Sequence, residues 1–280
     1  MIAEGDAGSL RLLLEQVGDG AAPVFDRLGL TEGPIAPRQR DPWRIGRILD
    51  RPGAPASALL WMLESDLPEL RTVVFQAART SLAVRRDILL GLPYAPGATE
   101  RVPVRQELRQ WYAMPEFPLD GEDFDLIAEL YAVRTMTHGR HTANAVTRRD
   151  WPRIASADRD RPLPGYARWN LSIRIDCPPA LREQFGDHPK FRHRLRQAGV
   201  VAGPREYVES WRPAHQVLQV LALGAWAFPH RLEEALEPLR PLIDALGPSP
   251  EAWAVLAQLL PTFSGTVPEL LVTTRAISGV

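Results

Sequence analysis

Cysteine is almost absent from this chain. Cys177 is the only one among 280 residues, so no internal disulfide can form and an oxidising compartment is not required. Long apolar runs are absent too, because the longest stretch without Asp, Glu, Lys or Arg covers residues 213–230. That stretch is shorter than the roughly 20 apolar residues that span a bilayer. Glu4 and Asp6 lie where a signal peptide carries its basic region. We therefore expect a cytoplasmic protein without a membrane partner.

Lysine is equally scarce, since Lys190 stands beside 32 arginines. A GC-rich genome explains such a bias, and so does bidentate recognition of phosphate or carboxylate by arginine. The familiar catalytic motifs are missing. The lone lysine follows a proline, which excludes a P-loop, and Gly18-Asp19-Gly20 lacks the third glycine of a dinucleotide-binding turn. There is no His-Glu-x-x-His, Gly-x-Ser-x-Gly or Cys-x-x-Cys motif, so the sequence predicts no catalytic residue, no metal site and no cofactor.

What the chain does have is an uneven distribution of charge around a net charge of −1. Residues 134–212 contain 16 Lys/Arg and 8 Asp/Glu, a balance of +8. Residues 1–133 contain 14 against 20, and residues 213–280 contain 3 against 6. A basic block between two acidic arms binds something anionic or pairs with the arms themselves.

Apolar residues recur at helical spacing over most of the chain and are interrupted by proline and glycine. We predict an all-α or nearly all-α protein with at most one or two short strands. An array of short helices is expected over residues 1–137, and a basic, extended connection over residues 138–178. A C-terminal helical bundle is expected over residues 179–280. The three segments are compatible with one continuous domain.

The stretch 56–92 contains a succession of short apolar segments. They read Leu59-Leu60-x-Met62-Leu63, then Asp66-Leu67-Pro68-Glu69-Leu70-Arg71, then Leu82-Ala83-Val84-Arg85-Arg86-Asp87. These segments resemble HEAT-like and variant leucine-rich helical repeats, in which each short helix buries its apolar face on a neighbour. The resemblance implies an interaction scaffold and no particular chemistry.

Two local patterns predict individual elements. Residues 168–176 alternate apolar and polar side chains and end before a pair of prolines, a pattern that predicts a strand. Residues 217–226 are apolar nearly all round and predict a buried helix. The helix after it carries Pro238 and Pro241, so we expect it to be kinked or split. Ser249 is expected to cap the next helix.

The arginines of the basic centre form the one set with a functional pattern. The candidate residues for binding a polyanion are Arg140, Arg148, Arg149, Arg153, Arg192, Arg194 and Arg196. Three aromatic residues are interleaved with them and are candidates for stacking on bases, namely Trp151, Tyr166 and Trp169. The alternatives are that this charge pairs with the acidic arms, that it is simply solvated, and that it binds an acidic protein.

Three functions remain open at this point. The leading hypothesis is a non-enzymatic helical scaffold or adaptor that binds a protein partner. The first alternative is a protein that binds nucleic acid, or another polyanion, through the arginine-rich centre. The second is an enzyme of an unrecognised family with a cavity between helical arms, which would draw on His138, His141, Asp123 and Cys177. The sequence leaves the oligomeric state open.

Overall fold

The computed structural model describes residues 4–30, 42–51, 53–110, 125–186 and 189–280 of the chain. Over these ranges the protein consists of α-helices, two short 3-10 helices and connecting turns, with no β-strand. The all-α prediction is therefore confirmed. Every described helix is too short or too polar to cross a membrane.

The helices are short, and most begin at or next to a proline, whose fixed backbone angle suits the first helical turn. The first half of the chain contains α1 (Glu4–Leu14), α2 (Ala22–Leu28), α3 (Pro42–Leu49), α4 (Ser57–Leu63), α5 (Pro68–Gln76), α6 (Leu82–Leu89), α7 (Gln106–Arg109) and α8 (Leu126–Ala132). The second half contains α9 (Met136–Ala145), α10 (Trp151–Asp160), α11 (Gly165–Ser172), α12 (Pro179–Gln184), α13 (Pro189–Gln197), α14 (Pro204–Ser210), α15 (Ala214–Ala227), α16 (Pro229–Leu236), α17 (Arg240–Leu246), α18 (Pro250–Leu259) and α19 (Val267–Ser278). The 3-10 helices are Gly18–Ala21 and Arg148–Asp150.

The strand predicted at residues 168–176 is wrong. Residues up to Ser172 belong to α11, and a turn follows. A lone strand would leave its backbone N–H and C=O groups without partners, whereas a helix pairs them within the segment. The extended connection predicted over residues 138–178 is wrong for the same reason, because α9, α10 and α11 occupy most of it.

The chain divides into two compact units, and their boundaries differ from the predicted segment boundaries. Unit 1 combines residues 1–58 with residues 201–280, and unit 2 comprises residues 59–200. Unit 1 is discontinuous because α1 packs against α15 and α2 packs against α18. Unit 2 contains most of the predicted repeat region and most of the basic centre, and α6 packs against α9 within it.

Three predictions for the C-terminal bundle are confirmed within unit 1. α15 is buried along most of its length, as its apolar circumference requires. The proline-bearing segment is split into α16 and α17. The Ser249 hydroxyl accepts a hydrogen bond from the backbone N–H of Ala252 at 3.3 Å and caps α18.

One hydrophobic cluster in the core of unit 2 is built by α8 to α12. Its closest helix pairing joins α9 to α11 at Gly139, where a side chain has no room. A Cβ atom at this position would lie 2.6 Å from Asn170 Nδ2 and 2.8 Å from the backbone oxygen of Tyr166. This glycine therefore sets how near α11 approaches α9.

Substituting this glycine tests the contact. Gly139→Ala is expected to lower the free energy of unfolding by about 1–3 kcal/mol, because the added methyl group displaces the α11 backbone. Gly46→Ala on α3 is the matched control, since a Cβ there meets nothing within 4 Å. The control should raise stability by up to about 1 kcal/mol through helix propensity. Chemical denaturation measures both, and equal effects of the two substitutions would contradict the packing argument.

Candidate functional site

Two aromatic side chains and an arginine come together on the outer side of α11. Tyr166 is 48% exposed, and Trp169 lies three residues further along the same helix and is half-buried. Residues three apart share one face of a helix. The guanidinium carbon of Arg194, from α13, lies 4.2 Å from the centroid of the Trp169 ring. The structure thus brings together three residues that the sequence analysis named separately.

Arg140 lies on α9, the helix that packs against α11. It follows Gly139, the residue in contact with the backbone of Tyr166, and its side chain is exposed. We call the four residues Tyr166, Trp169, Arg194 and Arg140 the aromatic–arginine surface. Among the described residues, neither arginine has an ion-pair partner.

The remaining predicted arginines are not part of this surface. Arg149 and Arg196 are exposed, and Arg153 forms an exposed ion pair with Asp125 at 3.4 Å. Arg196 follows Arg194 by two residues, so it projects from the opposite side of α13. The side chain of Arg192 lies outside the described part of the chain.

Two predicted site residues, Arg148 and Trp151, point inward instead. The guanidinium of Arg148 lies 4.6 Å from the ring centroid of the buried Tyr94. Trp151 is buried and donates its indole N–H to Asp176 at 3.2 Å. The prediction that Trp151 stacks on a base is therefore wrong, because its ring is enclosed in the core of unit 2.

Much of the basic excess in the centre of the chain is used inside unit 2. Arg168 forms a two-pronged contact with the buried Asp158, at 2.8 and 3.1 Å. Arg182 donates to three backbone oxygens at and just after the C-terminal end of α11, those of Ser172, Arg174 and Ile175. The charges of Arg168 and Arg182 are therefore paired or hydrogen-bonded inside unit 2, unlike those of the exposed arginines.

A buried polar cluster lies at the junction of these elements. Arg174 donates to both carboxylate oxygens of Asp176, at 2.9 and 2.6 Å. Its Nη1 also donates to the backbone oxygens of Ala143 and Val146, at 2.7 and 2.6 Å. The arginine thereby joins the C-terminal end of α9 to the segment after α11, and it holds these two helices in register.

Asp87 is the second carboxylate of the cluster and is fully buried. Its Oδ2 accepts hydrogen bonds from the Tyr94 hydroxyl and from the backbone N–H of Arg148, both at 3.2 Å. Its Oδ1 has no hydrogen-bond partner among the described residues. Burial, reinforced by the nearby negative charge of Asp176, raises the pKa of Asp87 to about 7.

The described residues among those suggested for an enzymatic site do not form a cluster. His138 lies 3.4 Å from Glu129 near the protein surface, and His141 is exposed. Cys177 is buried, and burial raises the pKa of its thiol to about 12, which disfavours the nucleophilic thiolate. Asp123 lies outside the described residues. Over the ranges that the structure describes, no group of three or more His, Cys, Asp or Glu residues could hold a metal ion.

The buried cluster was missed by the sequence analysis. One local signal was available, because Asp87 lies on the apolar side of α6 with Ala83, Val84 and Ile88. A charged residue on the buried face of a helix requires partners. Those partners come from segments up to 89 residues away in sequence, between Asp87 and Asp176, so spacing could not reveal them.

Comparisons with protein-family models, with curated proteins and with solved structures find no match for this chain.

Proposed function

We propose that this protein binds single-stranded nucleic acid through the aromatic–arginine surface. The observation that carries the proposal is the arrangement of Tyr166, Trp169 and Arg194, in which an exposed aromatic ring lies one helical turn from a second ring already contacted by a guanidinium. Aromatic side chains beside cationic groups are the usual means of holding single strands, because every base offers a face for stacking.

The surface suits a single strand better than a duplex. In a duplex the faces of the bases are covered by their neighbours, and only phosphates and groove edges are accessible. A single strand exposes base faces to Tyr166 and Trp169 while its phosphates meet Arg140 and Arg194. The guanidinium of an arginine can contact a ring face and a phosphate together, because it donates in its plane and stacks with its face.

The exposed apolar residues support a protein partner less well. The large aliphatic ones are divided between the two units, with Leu67 and Leu82 next to or at the starts of α5 and α6 in unit 2, and Val272, Ile277 and Val280 on or just after α19 in unit 1. The scaffold function and the repeat likeness of residues 56–92 stay predictions.

The test is titration of a short, labelled oligonucleotide of mixed sequence, as DNA, RNA and duplex, followed by fluorescence anisotropy over a range of salt concentrations. Tyr166→Ala and Trp169→Ala are each expected to weaken single-strand binding by about 1–3 kcal/mol. Arg194→Gln should weaken binding and reduce the slope of log affinity against log salt by about 0.7, the contribution of one phosphate contact.

Arg27→Gln is the matched control. Arg27 is an exposed arginine on α2 in unit 1, so the substitution removes the same charge away from the proposed surface. It should leave the salt slope unchanged. Absence of binding at low salt, or equal losses for Arg194→Gln and Arg27→Gln, would refute the proposal.

A further inference from the structure

The carboxyl group of Asp87 ties a short turn to helix α6. The turn comprises Thr147 and the 3-10 helix Arg148–Asp150, and its only described hydrogen bond to Asp87 is that of the Arg148 backbone N–H to Oδ2. The turn is braced internally, since Asp150 accepts hydrogen bonds from the backbone N–H and the hydroxyl of Thr147 at 2.7 and 2.6 Å. These two hydrogen bonds hold the turn together as one unit.

The charges around Asp87 leave its ionised form poorly compensated. Arg174 donates its Nε and Nη2 hydrogens to Asp176. An ionised Asp87 therefore adds a second buried negative charge beside a completed ion pair. Its Oδ1 has no donor among the described residues. The titratable and charged groups that face it from its own helix and from the neighbouring segments are Arg71, Arg86, Tyr94, Arg148, Asp150, Arg174 and Asp176. Arg71 is itself paired with Asp66 and with the backbone oxygen of Leu92.

Arg86, the nearest of these cations in sequence, does not pair with an ionised Asp87. Its Nη2 is directed to the backbone oxygen of Ala145 at the end of α9. The guanidinium of Arg148 lies over the ring of Tyr94. The cations near Asp87 are thus held by other partners, and a proton is the simplest means of neutralising this carboxyl group.

We propose that Asp87 is a proton-operated latch, which holds the Thr147–Asp150 turn on α6 when protonated and releases it when ionised. This inference is independent of the nucleic-acid surface. On release, the guanidinium of Arg148 leaves the Tyr94 ring and joins the exposed Arg149, so the turn presents two adjacent cations to solvent. The latch therefore couples the cationic character of this surface to pH near neutrality.

Proton linkage gives the direction in which a change of pH shifts the opening equilibrium of the latch. In the closed form the carboxyl group is buried, with its pKa raised to about 7, and in the open form it is hydrated, with a pKa near 3.8. Opening therefore releases a proton between these two pH values. The opening equilibrium constant should rise by about tenfold per pH unit from about pH 4 to about pH 7 and level off above that.

Hydrogen exchange of the Arg148 amide tests the latch, because this N–H is the group that Asp87 holds. Exchange is followed by mass spectrometry or NMR over a pH series and corrected for the intrinsic pH dependence of exchange. In the native chain the protection factor of this amide should fall by about tenfold per pH unit from about pH 4 to about pH 7. In Asp87→Asn, whose side chain is neutral at every pH, the protection factor should be constant. Amides within α11, in the same unit 2, report that the fold is intact.

Tyr94→Phe provides a second variant that keeps the carboxyl group. The Tyr94 hydroxyl favours the ionised form by donating to Oδ2, so its loss should move the upper end of the pH dependence to higher pH. Protection of Arg148 that is independent of pH in the native chain would overturn the latch. A pH dependence that persists unchanged in Asp87→Asn would do the same.

Discussion

Arg174→Met is expected to lower the free energy of unfolding of unit 2 by about 3–5 kcal/mol. The side chain of Arg174 is 4% exposed, and that of its partner Asp176 is 2% exposed. Removing the guanidinium leaves the Asp176 carboxylate charged and buried, and it also leaves the backbone oxygens of Ala143 and Val146 without their donor. Leaving a buried charged group without its partner lowers the free energy of unfolding by far more than the intact pair contributes to it.

Denaturant unfolding, with a probe in unit 2, measures this loss. The matched control is Arg153→Met, which breaks an ion pair with Asp125 in which both side chains are more than half exposed. Such pairs contribute about 0–1 kcal/mol. The double variant Arg174→Met/Asp176→Leu should recover part of the loss, because no buried charge remains. A loss below about 1 kcal/mol for Arg174→Met would mean that water reaches the site.

The second large effect is a dependence of global stability on pH. Asp87 binds its proton more tightly in the folded chain, where its pKa is about 7, than in the unfolded chain, where it is near 3.8. Stability from this group is therefore fully present below about pH 4 and is lost as pH rises through about 7. The difference of about three pKa units corresponds to roughly 4 kcal/mol.

Comparison of the native chain with Asp87→Asn isolates this contribution from that of other carboxylates. The native chain should lose roughly 4 kcal/mol relative to the variant between about pH 4 and about pH 8, when unfolding is measured across a pH series. A difference in stability that stays constant with pH would contradict the raised pKa. This global effect is expected whether or not the Thr147–Asp150 turn opens independently, so it tests the carboxyl group and the exchange experiment tests the latch.

The elements predicted correctly are those whose cause lies within a few residues. The split between α16 and α17 follows from Pro238 and Pro241, because proline cannot donate in a helix interior. Ser249 caps α18 through its own neighbour Ala252. The burial of α15 is visible in its composition, because a helix that is apolar on all sides has to lie inside the protein.

The predicted strand failed because alternation over residues 168–176 describes two different structures equally well. The helix α11 places Ala167, Asn170 and Leu171 in the core and Tyr166 outside, and Ile175 is buried in the turn that follows. A strand needs a partner to pair its backbone, and the described part of the chain offers none. Local periodicity could not decide this point, because the deciding partner would have been distant in sequence.

In the candidate site, too, the sequence shows which residues are present, and packing decides which of them are exposed. Tyr166, Trp169, Arg140 and Arg194 were recognisable from the sequence as aromatic and basic residues in a basic segment, and Trp151 and Arg148 looked equivalent to them. Packing separated the two groups by enclosing Trp151 in the core and placing Arg148 on the Tyr94 ring. The identity of the charged and aromatic side chains is a property of the sequence, but their exposure depends on which helices pack together.

The amino-acid sequence alone is enough to predict a helical protein, the places where prolines interrupt its helices, and the concentration of positive charge in the middle of the chain. The packing of the helices decides which arginines stay on the surface and which enter the core, and it assembles Asp87, Tyr94, Arg174 and Asp176 into one cluster. The reason is physical. Helix formation depends on hydrogen bonds and apolar spacing within a few residues, whereas the burial of a charge depends on partners that folding brings from distant segments.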